Sequence, residues 1–268
     1  MVKTARCVHA NPGIRSKYRK QLEKMITEMH RSVLWWVRAA YRENEERVVD
    51  NATMEVTEDA SPSAWMKRVL ARLQKYWGEK WEEKAESIAE SFVNRTKSQT
   101  QNSYLKAFKD AGFTVKAKPS RVMNDSVKAL IEENVSLIKS IPNTYFDKLT
   151  SMVQRSVSMG RNIQELEKEI VDLRQTTKAR AKTIAVDQTN KATEAVKRAE
   201  NKRLGITEGI WMHIPGKKMA RKTHMQMDGK RFKLDEGLYD SAEGRNVLPG
   251  ECVNCQCSYR PVIPTFGE

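Results

Sequence analysis

The sequence predicts a mainly α-helical protein, with an elongated N-terminal helical region followed by a small C-terminal α+β domain. Three observations predict it. Apolar residues recur at spacings of three and four from about Ile14 to Leu204, which is how a helix lays out a buried face. That periodicity stops at Gly205 and gives way to a short β-like run, Ile206 to Ile214, followed by turn formers. Two of the four histidines and three of the four cysteines lie beyond that change, within the last quarter of the 268 residues.

The first helix is expected from about Ile14 to Val49, with Leu22, Met25, Ile26, Met29, Val33, Trp36 and Val37 on one face. The polar, acidic stretch Asp50 to Ser61 breaks the pattern, and Ser61 before Pro62 reads as an N-cap with proline in the first turn. A second helix is expected from Pro62 to about Ala111, through Trp65, Val69, Leu73, Tyr76, Trp81, Ile88, Phe92, Tyr104 and Phe108. Five of the six tryptophans lie from Trp35 to Trp81, and their helical spacing favours an aromatic core over a base-stacking platform. Gly112 stops this helix, and a brief extended link follows to about Ser120.

A third helix is expected from about Asn124 to Val157, with a kink or restart at Pro142, where the chain lacks a backbone donor. Met159-Gly160-Arg161-Asn162 reads as a stop and a cap, and Ile163, Leu166, Ile170 and Leu173 as the next amphipathic face. Gln175-Thr176-Thr177 is expected to turn the chain into a further helix of about 27 residues ending at Leu204-Gly205, a length read from the same periodicity. Its face of Ala181, Ile184, Ala185, Gln188, Ala192, Ala195 and Ala199 is small enough for close backbone approach. Asp187, Gln188, Thr189 and Asn190 interrupt that face, and either join a network with the following domain or lie exposed. Beyond Gly205, Pro215-Gly216 is a turn and Asp228-Gly229 a two-residue hairpin signal. The implied divisions are a helical region over 1–115, connecting helices over 116–161 and a C-terminal domain over 162–268.

Net charge is +14, so the partner is expected to be polyanionic, either nucleic acid or an acidic protein surface. Residues 1–30 carry charge throughout and lack an apolar signal core, and no window approaches the ~18 apolar residues of a membrane span. A cytosol-like compartment and no membrane segment are expected. Between 197 and 233 there are eleven basic residues, Lys197, Arg198, Lys202, Arg203, Lys217, Lys218, Arg221, Lys222, Lys230, Arg231 and Lys233, against the acids Glu200, Glu208 and Asp228. These eleven are the candidate nucleic-acid contacts: such a concentration attracts phosphate without reading sequence.

The cysteines do not form a distributed disulfide framework; Cys252-x2-Cys255-x-Cys257 puts three thiols within six residues. With His224 as a fourth donor they would make a tetrahedral structural zinc site, if the Asp228-Gly229 turn folds back over them. A loop-rich unit of this size has little core of its own, and metal binding would supply folding energy. Against zinc stand buried thiols, or a disulfide formed after lysis. The same His224, with Asp228 as carboxylate partner, allows a nuclease reading. The sequence has no paired-carboxylate motif, no glycine-rich phosphate cradle and no nucleophile with a positioned base, so no catalytic residue is assigned and a non-enzyme is expected.

The order Ala179 to Thr193 (A-R-A-K-T-I-A-V-D-Q-T-N-K-A-T), Gly205 to Trp211 (G-I-T-E-G-I-W), Arg221 to Phe232 (R-K-T-H-M-Q-M-D-G-K-R-F) and Leu248 to Cys257 (L-P-G-E-C-V-N-C-Q-C) resembles the Mu F-like head-morphogenesis proteins of tailed bacteriophages. The resemblance covers about Asn162 to Pro264. The chain departs from the family pattern in the basic run Lys217-Lys218-Met219-Ala220-Arg221-Lys222 and in the additional Cys252. The resemblance implies a minor head protein of the virion, present in few copies. It would be incorporated at the portal vertex as the procapsid assembles, and be associated with packaged DNA and its retention or delivery. Portal protein, phage DNA and capsid or scaffold protein are the implied partners, in the host cytoplasm during assembly and afterwards in the head interior or at the portal vertex. The alternatives are a zinc-dependent DNA-processing enzyme and a scaffold adaptor that does not touch DNA.

Overall fold

The computed structural model describes residues 3–50, 62–159, 163–214 and 221–264, with side chains described over 3–42 and from 64 onward within those spans. Four long helices come first: α1 (Pro12–Asp50), α2 (Pro62–Asp110), α3 (Arg121–Ser158) and α4 (Ile163–Arg203). Short elements follow: β1 (Glu208–Met212), α5 (Lys222–Gln226), β2 (Arg231–Lys233), β3 (Leu238–Asp240), β4 (Arg245–Val247) and β5 (Ser258–Pro261). The fold is therefore mainly α with a small α+β part at the C-terminal end, as the loss of helical periodicity at Gly205 predicts. Among the described residues no helix is long and apolar enough to cross a membrane.

The helix ends follow from local chemistry. Asn11 caps α1 through its Oδ1, which accepts the backbone N–H groups of Gly13 and Ile14 at 2.8 and 3.1 Å. Ser120 does the same for α3, its Oγ accepting from Met123 N at 3.1 Å. Helix α4 closes on Gly205, whose φ of 69° lets Ile206 N reach back to Asn201 O at 2.9 Å, satisfying a carbonyl the helix would otherwise orphan.

At two expected breaks the helix does not restart. Helix α3 runs unbroken through Pro142, flanked by Ile138 and Ile141, both 0% exposed; packing of the apolar face outweighs one missing backbone bond. Helix α4 runs unbroken through Gln175-Thr176-Thr177. Both threonine hydroxyls bond back to Leu173 O, at 3.0 and 2.7 Å, so these residues satisfy themselves within the helix instead of turning the chain. The expected stop and cap at 160–162, the Ser61 cap and the Pro215-Gly216 turn lie outside the described residues.

The chain gathers into two compact units. One, the helical unit, comprises Arg19–Ile88 and Val135–Lys182; the other, the C-terminal unit, comprises Met1–Tyr18, Ala89–Asn134 and Thr183–Glu268. The helical unit buries Leu22, Ile26, Met29, Val33 and Val37 of α1, Leu73, Trp77 and Trp81 of α2, Leu149 and Val153 of α3, and Leu166 and Ile170 of α4. Each such side chain contributes roughly 1.5–3 kcal/mol. The aromatic core is smaller than the spacing predicts: Trp35 and Trp36 are 57% and 46% exposed and meet edge to face at the surface.

In the C-terminal unit a three-stranded antiparallel sheet is ordered β2-β1-β5, and β3 and β4 form a separate antiparallel pair. An isolated bridge joins Thr4 to Val262, extended by Ile263 N donating to Lys3 O at 2.9 Å. One core gathers Trp211, Phe232, Tyr259, Tyr104, Phe108 and the three cysteines. Asp228-Gly229 is not a β-hairpin. It carries the chain from α5 into β2, with Gly229 at φ 76°, because Met225 belongs to a short helix and not to a strand.

Candidate metal centre and basic surface

The functional cluster is assembled by α4, α5, β3 and the cysteine loop. Helix α4 pins that loop with the polar residues that interrupt its small-residue face. Asp187 Oδ1 accepts from Asn254 N at 3.1 Å, and Asn190 Nδ2 donates to Cys255 O at 3.0 Å. Of the two fates open to these residues, the network is the one adopted. Asn254 sits at φ 60°, a left-handed conformation that asparagine tolerates, and Cys255 N closes the turn on Cys252 O at 2.9 Å. Gly250 is required by close approach: its φ is 76°, and a Cβ there would lie 2.7 Å from Glu194 Cγ on α4.

Helix α5 delivers His224, 2% exposed. Its Nδ1 lies 3.4 Å from Cys255 Sγ and 3.6 Å from Cys257 Sγ, and its Nε2 lies 3.0 Å from Asp240 Oδ2. Asp240 is fully buried and accepts Ala242 N at 2.9 Å. Its carboxyl, pushed up by burial, is drawn further down by that amide and by His224, and ends below the usual value. The contact with Cys255 raises the His224 imidazole. Within the thiol pair, Cys255 is pushed up by Cys257 and by burial, while the bond from Cys255 holds Cys257 down. Among the described residues, two donor groups are close enough to hold one ion: His224 with Cys255 and Cys257, and His224 with Asp240 and Cys252.

Of the predicted ligands, the structure brings His224, Cys255 and Cys257 together. Cys252 groups with His224 and Asp240 instead, and burial pushes its thiol up to about 11. Two residues escaped sequence reasoning. His213 Nδ1 lies 3.5 Å from Cys257 Sγ, and its backbone N–H donates to Asp228 Oδ1 at 2.7 Å. Asp240, not Asp228, is the carboxylate partner of His224. His213 had a signal, standing just past the strand that ends at Met212; Asp240 had none, being placed by the β3–β4 pairing.

The basic candidates divide. Lys197 is no phosphate contact: it is 0% exposed, its ammonium donating to both Glu194 oxygens at 3.0 Å and to Ser258 Oγ at 2.6 Å and lying over the Tyr259 ring. Arg203 pairs with Glu200 at 2.7 Å, Arg221 with Glu243 at 3.4 Å, Lys233 with Glu236 at 2.7 Å, and Arg231 with Glu208. Half-buried Arg198 donates to Pro249 O at 3.5 Å. Lys202, Lys222 and Lys230 are exposed. Lys217 and Lys218 lie outside the described residues.

Comparison with known proteins gives relatives that share part of this chain. An uncharacterized protein of Haemophilus influenzae (strain ATCC 51907 / DSM 11121 / KW20 / Rd) is 29% identical over 200 residues, covering 74% of this chain and 43% of the relative. The uncharacterized protein YqbB of Bacillus subtilis (strain 168) is 24% identical over 131 residues, covering 45% of this chain and 43% of the relative. The chain thus spans less than half the length of the curated relatives it matches. No solved structure matches it. Residues 147–260, which take in α4, α5, all of β1 to β4 and the His/Cys cluster, match the family described as Phage Mu protein F like protein, and over that stretch the chain is similar to these phage head proteins, as the four sequence segments indicate.

Proposed function

We propose that this protein is a minor head protein of a tailed phage. It acts in procapsid assembly at the portal vertex and associates with packaged DNA through non-specific phosphate contacts. The observation that carries the reading is the family match over residues 147–260, since the family is one of head morphogenesis and is typically structural. Portal protein is the partner it suggests, with capsid or scaffold protein beside it.

The DNA part rests on charge. The chain carries +14 overall, and the exposed Lys202, Lys222 and Lys230, with Lys217 and Lys218 in the same stretch of sequence, remain for a polyanion once Lys197 is withdrawn. In this reading the buried His/Cys cluster is structural, and zinc is the ion that its thiol and imidazole donors suit.

Gel shifts of the full chain on random duplex DNA across a salt series test the phosphate contacts. Affinity should fall steeply between about 50 and 200 mM salt, as counterion release requires, and Lys202→Glu with Lys222→Glu and Lys230→Glu should weaken binding to every sequence alike. A response that does not change with salt would overturn the DNA part. Absence of the protein from assembled heads would overturn the whole.

A further inference from the structure

We infer that Cys255, Cys257, His224 and His213 form the ligand shell of one tetrahedral zinc ion, with Asp240 as the positioning residue that orients His224. This deepens the structural-zinc reading above and rests on it. It replaces Cys252 with a second histidine.

Distances select His224, Cys255 and Cys257, the three donors that lie mutually close; His213, outside that group, approaches it through Cys257 and closes on the other two donors when the ion binds. With zinc bonds of about 2.3 Å to sulfur and about 2.0–2.1 Å to nitrogen, a tetrahedral ion holds nitrogen and sulfur donors about 3.6 Å apart. Three nitrogen–sulfur edges of the cluster match that spacing: His224 Nδ1 to Cys255 Sγ at 3.4 Å, His224 Nδ1 to Cys257 Sγ at 3.6 Å and His213 Nδ1 to Cys257 Sγ at 3.5 Å. Both histidines present the same ring nitrogen.

The opposite face of His224 supplies an independent argument. Its Nε2 meets Asp240 Oδ2 at 3.0 Å, and both side chains are buried, at 2% and 0% exposure. A histidine that binds metal through one nitrogen commonly gives the other N–H to a carboxylate, which fixes the ring. Cys252 is grouped with His224 and Asp240 and not with the other thiols. Binding there would cost His224 its carboxylate partner. The backbone is also set in advance: Asp187 and Asn190 on α4 hold the loop carrying Cys255 through two hydrogen bonds, so the Cys255 backbone is placed by contacts independent of the ion.

The test uses the full chain purified without chelator. Elemental analysis should find one zinc per chain, and cobalt substituted for zinc should give a tetrahedral visible spectrum whose charge-transfer band counts two cobalt–sulfur bonds. This measurement needs no mutant to fold. Cys252→Ser should keep the ion with affinity unchanged. His213→Ala should lose about tenfold or more in zinc affinity, and Asp240→Asn about 10–100-fold, the range seen when the outer partner of a metal-bound histidine is removed. A zinc-free protein that takes up no cobalt, a band counting three thiolates, or loss of the ion in Cys252→Ser together with its retention in His213→Ala would each overturn the assignment. Zinc bound by this set in a protein whose DNA affinity ignores salt would uphold it and overturn only the DNA reading.

Discussion

In the helical unit, burial is almost wholly apolar, with Leu, Ile, Val and Trp stacked along four helix faces. In the C-terminal unit, the buried interior is crowded with polar groups. Of the eighteen buried polar or charged residues among those described, only His30, Ser156 and Thr177 belong to the helical unit; the other fifteen, Glu194, Lys197, Glu200, Asn201, His224 and Asp240 among them, belong to its neighbour. The helical unit can rely on apolar area because long amphipathic helices supply it at every turn. Strands of three to five residues cannot, so the C-terminal unit is specified by partnered polar groups instead. Asn201 shows the pattern, accepting from the Tyr104 hydroxyl and donating to the Tyr259 hydroxyl at 2.8 Å. A unit built this way loses more when one partner goes, because a buried group left unpartnered costs more than the bond it made.

The largest effect expected from breaking the contrast is at Lys197. Lys197→Met strands the Glu194 carboxylate, 3% exposed, and should cost about 3–5 kcal/mol in denaturant unfolding, the penalty for removing one partner of a buried pair. Adding Glu194→Gln should recover much of it, because the unpaired charge is then gone; no recovery would mean that packing, not charge, set the loss.

A smaller effect belongs to the helical unit. His30 is 3% exposed, and burial, with Arg174 and Lys178 nearby, pushes its imidazole down from 6.5 to about 4. The fold therefore favours the neutral ring. Stability from this residue is complete above pH 6.5 and is lost as pH falls from 6.5 towards 4, by about 3 kcal/mol at most at 1.36 kcal/mol per pH unit. His30→Gln should flatten the stability profile between those limits, and an unchanged acid slope would reassign it elsewhere. The smallest effect is at the surface of the same unit, where Arg38 and Glu167 form a two-pronged bond at 2.6 and 2.8 Å. Arg38 is half exposed, so Arg38→Ala should shift unfolding by less than about 1 kcal/mol.

Much of the helical architecture was legible, because a 3.6-residue period in apolar positions survives any tertiary detail. Pro142 and the Thr176-Thr177 pair misled for one reason: a local preference worth a few kcal/mol gives way where the flanking face is already buried or a hydroxyl can bond back along the helix. The site was legible by residue type. His224, Cys255 and Cys257 could be named from the chain, but Asp240 and His213 reach them only through strand pairing and the turn at Asp228. Counting charges misplaced Lys197, since a sum over sequence carries no information about which ammonium the fold takes inside.

The Thr4–Val262 bridge gives the three-stranded sheet a property that neither charge nor metal supplies. A strand with an unpaired margin is a template for any extended chain it meets. Just past the end of β5, residues 3 and 4 pair with Val262 and Ile263 and cover that end of the margin, and on the β2 side the exposed Arg231 and Lys233 stand at the other. Backbone cover on one flank and ion-paired charged side chains on the other, Arg231 with Glu208 and Lys233 with Glu236, thus leave neither margin a bare apolar template for a further strand.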